Sequence, residues 1–283
     1  MDGFPWLWQG GLMMNNLLTY DNKKKAVLLF IALAIATWIA IDALSGGADQ
    51  WRRVGVRLPL LLTGSGSGWP ITGGFALNIL LSIAAMALAT ALGTIMGLST
   101  MAKSAAVRVP ALLVMNFLRN SPWLVLLFAM LYIIPFEMRV LGFVIPFPTF
   151  MKAVIGLALP TAANFSEVIR GAVQSIHTGQ WEAARSLGYT PTQIYRYVIL
   201  PQAFRRMIPG WMNLYALLMI ATSLATVTGI QDVLTILNTS IAMESERALV
   251  YFYLTVLFLF FAYCYPIAVF ARRLERAVKG DNL

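Results

Sequence analysis

The sequence predicts an all-α integral membrane protein, and composition is the first observation behind that prediction. Its 283 residues are 59% hydrophobic and only 12% charged, and the mean hydropathy is +0.73. A soluble domain carries roughly 25% charged residues and about 45–50% apolar ones. The chain therefore has too little charge to cover a surface that faces water on all sides.

The second observation is the arrangement of the apolar residues. A helix that crosses a bilayer needs about 20 mostly apolar residues, and six stretches qualify. They cover residues 26–43, 75–98, 109–136, 153–173, 210–230 and 249–270. The third is interrupted by Arg-Asn-Ser-Pro at 119–122, and the fourth carries Pro160 and Glu167. We expect about six transmembrane helices, five forming a core and one added at the N-terminus.

The first stretch has two interpretations. Lys23, Lys24 and Lys25 precede it and Ala43-Leu44-Ser45 resembles a cleavage site, as in a signal peptide. The apolar segment is longer than the about 7–15 residues of a signal core, however. A retained anchor is the favoured interpretation, and the purpose of this extra helix stays open.

Basic residues in the loops predict the orientation. With a cytoplasmic N-terminus and six spans, fourteen Lys and Arg fall inside and six outside, Arg119 lying within a span. Both termini are therefore predicted to be cytoplasmic, in a multi-pass membrane protein. The net charge of +9 does not indicate nucleic-acid binding, because the basic residues lie between apolar segments.

The predicted domain organisation has three parts. Residues 1–69 hold the N-terminal anchor and an external loop whose Gly/Ser-rich stretch at 64–68 predicts a flexible linker. Residues 70–276 form the transmembrane domain, with a cytoplasmic loop at 176–206. Residues 277–283 are a cytoplasmic tail.

The loop between the fourth and fifth spans predicts two capped helices. Thr178 is placed to cap the first, and Gly188 to end it in the left-handed conformation. Thr190 begins the second with Pro191 at its first position and Gln193 three residues on, which is a capping box. Pro201 is expected to end the second helix. Spacing alone leaves open whether this hairpin binds another protein.

The same loop resembles a known family. Glu182-Ala183-Ala184, then Gly188, Val198 and Leu200-Pro201, is similar to the EAA loop of permease subunits in binding-protein-dependent ABC importers, where Ile usually stands in place of Val198. The resemblance implies a helix that couples the chain to a separate ATPase. The coupling residues it implies are Gln180, Glu182, Ala183, Ala184, Arg185 and Gly188.

Further segments resemble the polar amino acid subfamily of these permeases. They are Leu-Arg-Asn-Ser-Pro at 118–122, residues 166–176, Thr-Ser-Leu-Ala-Thr-Val-Thr-Gly at 222–229, and residues 272–276. Asn120, Trp123 and Ile220-Ala221 depart from the subfamily pattern. The resemblance implies transport of a polar amino acid and slightly favours acidic or amide-bearing ones, without deciding among them.

The chain itself has no nucleotide-binding loop and no predicted catalytic centre. Because no Gly is followed directly by Lys, the Gly-x4-Gly-Lys-Ser/Thr pattern does not occur. ATP and Mg²⁺ are therefore expected on a partner, and this chain is expected to hold no cofactor. With one Cys and one His, no metal site is expected. The implied partners are two ATP-binding cassette ATPase subunits, a second permease (identical or related), an external substrate-binding protein and membrane lipid.

Polar side chains at membrane depth are costly and therefore mark candidate pathway residues. Ser121 before Pro122 is placed to cap a half-helix whose positive end would face an anionic group. For the charged candidates, pairing with each other is the competing interpretation. The candidates are Asn78, Asn116, Arg119, Ser121, Asn164, Glu167, Thr222 and Ser223.

Three other functions compete with that of an importer permease. A stand-alone secondary transporter or channel for small polar solutes leaves the capped cytoplasmic hairpin unexplained. An intramembrane enzyme needs a catalytic constellation at bilayer depth, but no pair of Asp lies in the spans and His177, the one His, is predicted to be cytoplasmic. Export by the same class of permease is disfavoured by the resemblance to importers.

Overall fold

A computed structural model describes residues 46–68, 70–140, 143–242 and 246–280, together with Thr37 and Asp42. The predicted first span at 26–43 lies outside the described residues, apart from those two. The chain divides into two compact units, residues 1–55 and residues 56–283. The predicted domain boundaries after 69 and 276 stay predictions.

Helix α1, Gly47–Thr63, occupies part of the segment that was predicted to be an external loop. Asp49 in its first turn suits the positive end of the helix dipole. Gly64 ends it with a φ of 77°, and its N–H donates to the Leu60 carbonyl at 2.8 Å. The loop prediction was wrong here because Arg52, Arg53 and Arg57 interrupt the apolar pattern without preventing a helix.

Helices α2 (Gly74–Thr100), α3 (Ala105–Asn120) and α4 (Trp123–Ile133) follow. The last two are halves of the predicted third span and meet at a bend of 108°. The break falls at Ser121, whose ψ of 139° is extended, because a residue before proline disfavours the helical region. The predicted interruption of this span is confirmed.

A two-stranded antiparallel hairpin departs from the helical pattern. Strand β1 (Glu137–Val140) pairs with β2 (Phe143–Pro146). Next to it lies Lys152, one of the six basic residues that the orientation prediction places outside, which is only 1% exposed. Its Nζ donates to the Leu131 carbonyl near the end of α4 at 3.2 Å and lies 3.3 Å from the Phe136 ring centroid. A cation at the C-terminus of a helix is stabilised by the helix dipole, and this interaction explains why Lys152 is buried.

The remaining elements lead from the hairpin to the C-terminus. They are α5 (Thr149–Gln174), α6 (Thr178–Ser186), α7 (Pro191–Gln193), a π-helical segment (Ile194–Ile199), α8 (Leu200–Ala221), a 3-10 segment (Thr222–Thr228), α9 (Val233–Ile241) and α10 (Glu246–Gly280). The predicted helical membrane class is confirmed, with the short β1–β2 hairpin as a local departure from it.

Three helical stretches of the described part are long and apolar enough to cross a membrane: Gly74–Thr100, Pro191–Thr228 and Ala248–Val278. When the bent pair α3–α4 is counted as one span, the described residues contain up to four spans. Helix α5 covers the predicted fourth span but is not among them, since Asn164, Glu167 and Arg170 lower its apolarity.

The core forms where small residues let α2 and α5 approach closely, as is common between helices in membranes. Fully buried alanines line this crossing from both helices: Ala85, Ala89, Ala158 and Ala162. At Gly93 there is no room for a side chain, because a Cβ there would lie 2.7 Å from the Ala162 carbonyl oxygen. Gly93 therefore sets the separation of the two helices.

Substituting Gly93 with alanine should destabilise the protein by about 1–3 kcal/mol, the usual cost of overpacking. The matched control is Gly171→Ala on α5, where a Cβ meets nothing within 4 Å. Because alanine favours a helix over glycine by roughly 0.8–1 kcal/mol, that variant should be neutral or more stable. Unfolding midpoints in detergent measure both, and equal shifts would contradict the close approach at Gly93.

Candidate functional site

Helix α6, in the loop that was predicted to be cytoplasmic, begins at a cap that differs from the predicted one. His177 is the N-cap, and its Nδ1 accepts a hydrogen bond from the Gly179 N–H at 3.1 Å. Thr178, which was predicted to cap, is the first helical residue. The prediction missed by one position because an imidazole nitrogen in its acceptor form also satisfies a free N–H at a helix start.

The end of α6 is as predicted. Gly188 has a φ of +78°, and its N–H donates to the Arg185 carbonyl at 2.9 Å while the Tyr189 N–H donates to Ala184 at 3.2 Å. This pair of bonds is a Schellman motif, which requires the left-handed residue that glycine supplies. The turn after it is compact and has one defined geometry.

The predicted capping box at the start of α7 is also confirmed. The Gln193 N–H donates to Thr190 Oγ1 at 3.4 Å, and the Thr190 N–H donates to Gln193 Oε1 at 2.8 Å. Pro201, however, does not end this helix, since α8 starts at Leu200 and continues without a break. Pro201 has no N–H to donate, and its ring would crowd the preceding turn of a normal α-helix. The wider π-helical segment Ile194–Ile199, which precedes α8, accommodates this proline.

The predicted coupling residues do not all face the same way. Gln180, Glu182, Ala183 and Arg185 are exposed, as is Gly188. Ala184 is only 3% exposed, so the expectation that it is presented to another protein was wrong. It faces inward, where a small side chain lets α6 pack closely on the end of α5.

Helix α6 is firmly attached to the two helices on either side of it. Ala184 belongs to a buried cluster with Val173 of α5, with Ile194 and Ile199 of the π-helical segment and with Ala203 of α8. A packed core transmits displacement because it is close to crystal density. Helix α6 and the adjoining ends of α5 and α8 therefore form one packed unit.

Polar and aromatic contacts reinforce this attachment. The rings of Trp181 and Tyr195 meet edge to face, with centroids 5.1 Å apart. Arg206 on α8 donates from Nη1 to the Ser175 carbonyl at the end of α5, at 2.6 Å. Exposed Gln180 accepts from Gln202 Nε2 at 3.2 Å, which links the outer face of α6 to α8.

Arg119 and Glu167, both predicted from their depth in the spans, form an ion pair. Nη1 of Arg119 lies 3.6 Å from Oε2 of Glu167, and that carboxylate also accepts from Nε of Arg170 at 3.0 Å. The side chains of Arg119 and Glu167 are 36% and 31% exposed, so screening keeps their contribution to stability small. The pair instead ties the end of α3 to α5 beside the 108° bend.

A double-mutant cycle tests this tie. Arg119→Gln and Glu167→Gln are each expected to slow uptake, and the double variant to be no slower than Glu167→Gln alone. The expected coupling is about 1 kcal/mol, or roughly fivefold in rate, while the unfolding midpoint changes little. Initial uptake rates in reconstituted vesicles measure this, and additive effects would show that the two residues act separately.

The side chains at the bend bond back to their own helix. Ser121 Oγ donates to the Phe117 carbonyl at 2.7 Å, and Asn120 Nδ2 donates to Asn116 at 2.7 Å. Ser121 was predicted to cap α4, but Pro122 occupies that position and makes no side-chain cap. The prediction failed because the hydroxyl satisfies a free carbonyl at the end of α3 instead.

Asn78 and Thr222 are buried away from any open surface. Asn78 Nδ2 donates to Thr222 Oγ1 at 3.1 Å, and Asn78 Oδ1 accepts from the Val233 N–H at 3.0 Å. Thr222 in turn donates to the Met219 carbonyl at 2.6 Å. These bonds join α2, the 3-10 segment and α9. The two residues therefore connect helices in this structure, and their role in a pathway stays a prediction.

The other candidates are more open. Asn116 is exposed on α3 one turn before Arg119, and Asn164 is half-buried on α5 one turn before Glu167. Asn164 Nδ2 donates to the Pro160 carbonyl at 2.8 Å, and Ser223 Oγ donates to Ile220 at 2.8 Å. Each ion-pair residue thus has a polar neighbour on its own helix face.

A partly buried polar network was not predicted. Tyr215 of α8 meets Ser82 Oγ of α2 at 3.2 Å and Tyr263 Oη of α10 at 2.7 Å, while Trp211 Nε1 donates to Thr90 Oγ1 at 2.8 Å. The sequence signal was the spacing of four between Trp211 and Tyr215, which puts both on one face of α8. Their partners lie far away in the chain, so spacing alone does not identify them.

Comparison with known proteins decides the family. Residues 89–280 match the family described as binding-protein-dependent transport system inner membrane component. The chain belongs to this family. The matched range holds the bend, the Arg119–Glu167 pair and the whole of α6, so the geometry described above is that of an ABC importer permease.

Several curated proteins of Bacillus subtilis (strain 168) resemble the permease. The probable amino-acid ABC transporter permease protein YckA is 34% identical over 72% of this chain and 86% of its own length. The L-cystine transport system permease protein TcyB is 32% identical over 75% and 90%. The probable glutamine ABC transporter permease protein GlnP is 30% identical over 71% and 90%.

Solved structures confirm the fold of the permease. A crystal structure of an amino acid ABC transporter with histidines aligns with a TM-score of 0.63 at 24% identity, covering 71% of this chain and 91% of the other. An inward-facing MetNI methionine ABC transporter aligns with a TM-score of 0.51 at 21% identity, covering 72% and 92%.

Proposed function

We propose that the permease carries polar amino acids inward across the bacterial inner membrane, driven by ATP that a separate subunit hydrolyses. The observation that carries this proposal is helix α6. It is capped at its start by His177, ended by a left-handed Gly188, exposed along one face and packed along the other. An element of this kind receives force on one side and delivers it on the other.

Amino acids are favoured as substrates by the relatives. YckA is named for amino acids in general, TcyB for L-cystine and GlnP for glutamine. These names span different side chains, so they support the α-amino acid group as the shared feature. Within that class we retain a slight preference for acidic or amide-bearing substrates, because exposed Asn116 and Arg119 offer donors near the bend.

The proposed assembly needs several partners. Two ATPase subunits would contact the exposed residues Gln180, Glu182, Ala183, Arg185 and Gly188, and would hold the ATP and Mg²⁺. A second permease, identical or related, would complete a pathway, and an external binding protein would deliver the substrate. The proposed orientation places both termini and α6 in the cytoplasm, as the distribution of basic residues favours.

The proposed mechanism is alternating access. Closure of the ATPase pair pushes on α6, and the buried contacts of Ala184 and Trp181 pass that displacement to α5 and α8. Movement of α5 shifts Glu167 relative to Arg119, and the bend between α3 and α4 then opens or closes. The ion pair is suited to this role because its low stability lets it break and re-form.

The first experiment is a pull-down of the tagged chain from its native membrane in mild detergent, with mass spectrometry of the proteins that copurify. A Walker-motif ATPase in stoichiometric amount is the expected result, and a second permease beside it would distinguish a heterodimer from a homodimer. Recovery of the chain alone, still transporting in vesicles without ATP, would favour a secondary transporter instead.

A further inference from the structure

A groove runs between the cytoplasmic half of α8 and the last turns of α10, separate from α6 and from the bend. Its volume is about 640 Å³. On α8 it is lined by Arg206, Gly210 and Asn213, and on α10 by Ala268, Ala271, Arg272 and Glu275. Residues spaced three or four apart share one face of a helix, so the groove follows both helix axes.

One end of the groove is basic. Arg206 and Arg272 line it against a single carboxylate, Glu275. Arg272 is exposed, and no ion pair or hydrogen bond joins its guanidinium to another residue of the described ranges. The neighbouring Arg273 and Arg276 are exposed on the same turns of α10. An anionic group would therefore be attracted to this end.

The other end is uncharged and, in the proposed orientation, lies deeper in the membrane. Asn213 lies seven residues beyond Arg206 on α8, or about 10 Å at 1.5 Å per residue. Its side chain is exposed, and the floor beside it consists of Gly210, Ala268 and Ala271. An exposed apolar side chain, Leu217, lies one turn beyond Asn213 on the same face of α8. The groove thus combines a basic end, one polar group at Asn213 and an apolar channel lined by Gly210, Ala268 and Ala271.

We propose that this groove binds an anionic diacyl phospholipid of the cytoplasmic leaflet. The phosphate would lie at Arg272 and Arg206, Asn213 would donate to an ester carbonyl, and an acyl chain would follow Gly210 and Ala268. Basic pockets between transmembrane helices on the cytoplasmic side are suited to such head groups. A soluble phosphate would not use the apolar channel. The choice of leaflet rests on the proposed function, but the binding itself does not.

The test uses the full-length chain in detergent with dioctanoyl phosphatidylglycerol as the probe, followed by native mass spectrometry and by the shift of the thermal midpoint. Arg272→Gln is expected to weaken binding about tenfold, the effect of losing one charge-assisted hydrogen bond. The matched control is Arg273→Gln, because Arg273 is an adjacent exposed arginine that does not line the groove. This variant should bind the lipid with unchanged affinity. Ala268→Leu fills the channel and should weaken binding with both arginines in place.

Other outcomes would overturn the proposal. Equal weakening by Arg272→Gln and Arg273→Gln would show a diffuse basic surface. Equal binding of dioctanoyl phosphatidylcholine would show that the groove does not distinguish an anionic head group from a zwitterionic one. Competition by inorganic phosphate would show that the groove is a site for soluble anions. Loss of lipid binding when the ATPase is added would assign the groove to that partner. None of these results bears on whether an ATPase copurifies, so failure here is distinct from failure of the proposed function.

Discussion

Replacing Gly188 with valine is expected to leave the protein in the membrane but to reduce ATP-driven uptake about tenfold. A β-branched residue at φ +78° is strained by about 1–2 kcal/mol relative to glycine. That strain shifts the turn after α6 away from its single geometry, and 1.4 kcal/mol corresponds to about tenfold in a population. The measurement is substrate uptake per ATP hydrolysed in proteoliposomes that contain the whole transporter.

The chain offers a closely matched control for this substitution. Gly229 has the same φ of +78° and, like Gly188, nothing within 4 Å of an added Cβ. It follows the 3-10 segment, away from α6. Gly229→Val should therefore lower the thermal midpoint as much as Gly188→Val while keeping the normal ratio of uptake to hydrolysis. A normal ratio in both variants would remove α6 from the coupling mechanism.

Asn78→Leu is expected to have the largest effect on stability, a loss of about 2–4 kcal/mol. Leucine is close to asparagine in size, so the substitution leaves little cavity, but it removes two buried hydrogen bonds. The Val233 N–H then loses its acceptor and Thr222 loses a donor. A buried polar group without a partner costs about 1–3 kcal/mol, and this cost falls on the Val233 N–H. Thr222 keeps its bond to the Met219 carbonyl, so the hydrogen bond lost there adds only about 0.5–1.5 kcal/mol.

The control for this prediction is Asn116→Leu. Asn116 is exposed on α3, so the same chemical change there should shift stability by no more than about 0.5 kcal/mol. Unfolding midpoints in detergent, with the fraction that refolds, measure both variants. An equal effect at the two sites would mean that Asn78 is solvated and that the helices are joined by other contacts.

The sequence by itself determined the features that depend on neighbouring residues. The apolar stretches predicted α2, α8 and α10, and the proline after Ser121 predicted the bend of the third span. The capping box of Thr190 and Gln193 and the left-handed Gly188 were also predicted. Each is a local property, because hydropathy, capping and glycine conformation involve groups within a few positions of one another.

The tertiary structure decided which polar side chains remain accessible to a ligand and which form hydrogen bonds inside the protein. Asn78 and Val233 are 155 positions apart, and no local pattern reveals that one satisfies the other. The burial of Ala184 and of Lys152 likewise depends on helices that arrive from elsewhere in the chain. A polar residue at membrane depth must find a partner, and only the fold determines whether that partner is the protein itself or a substrate.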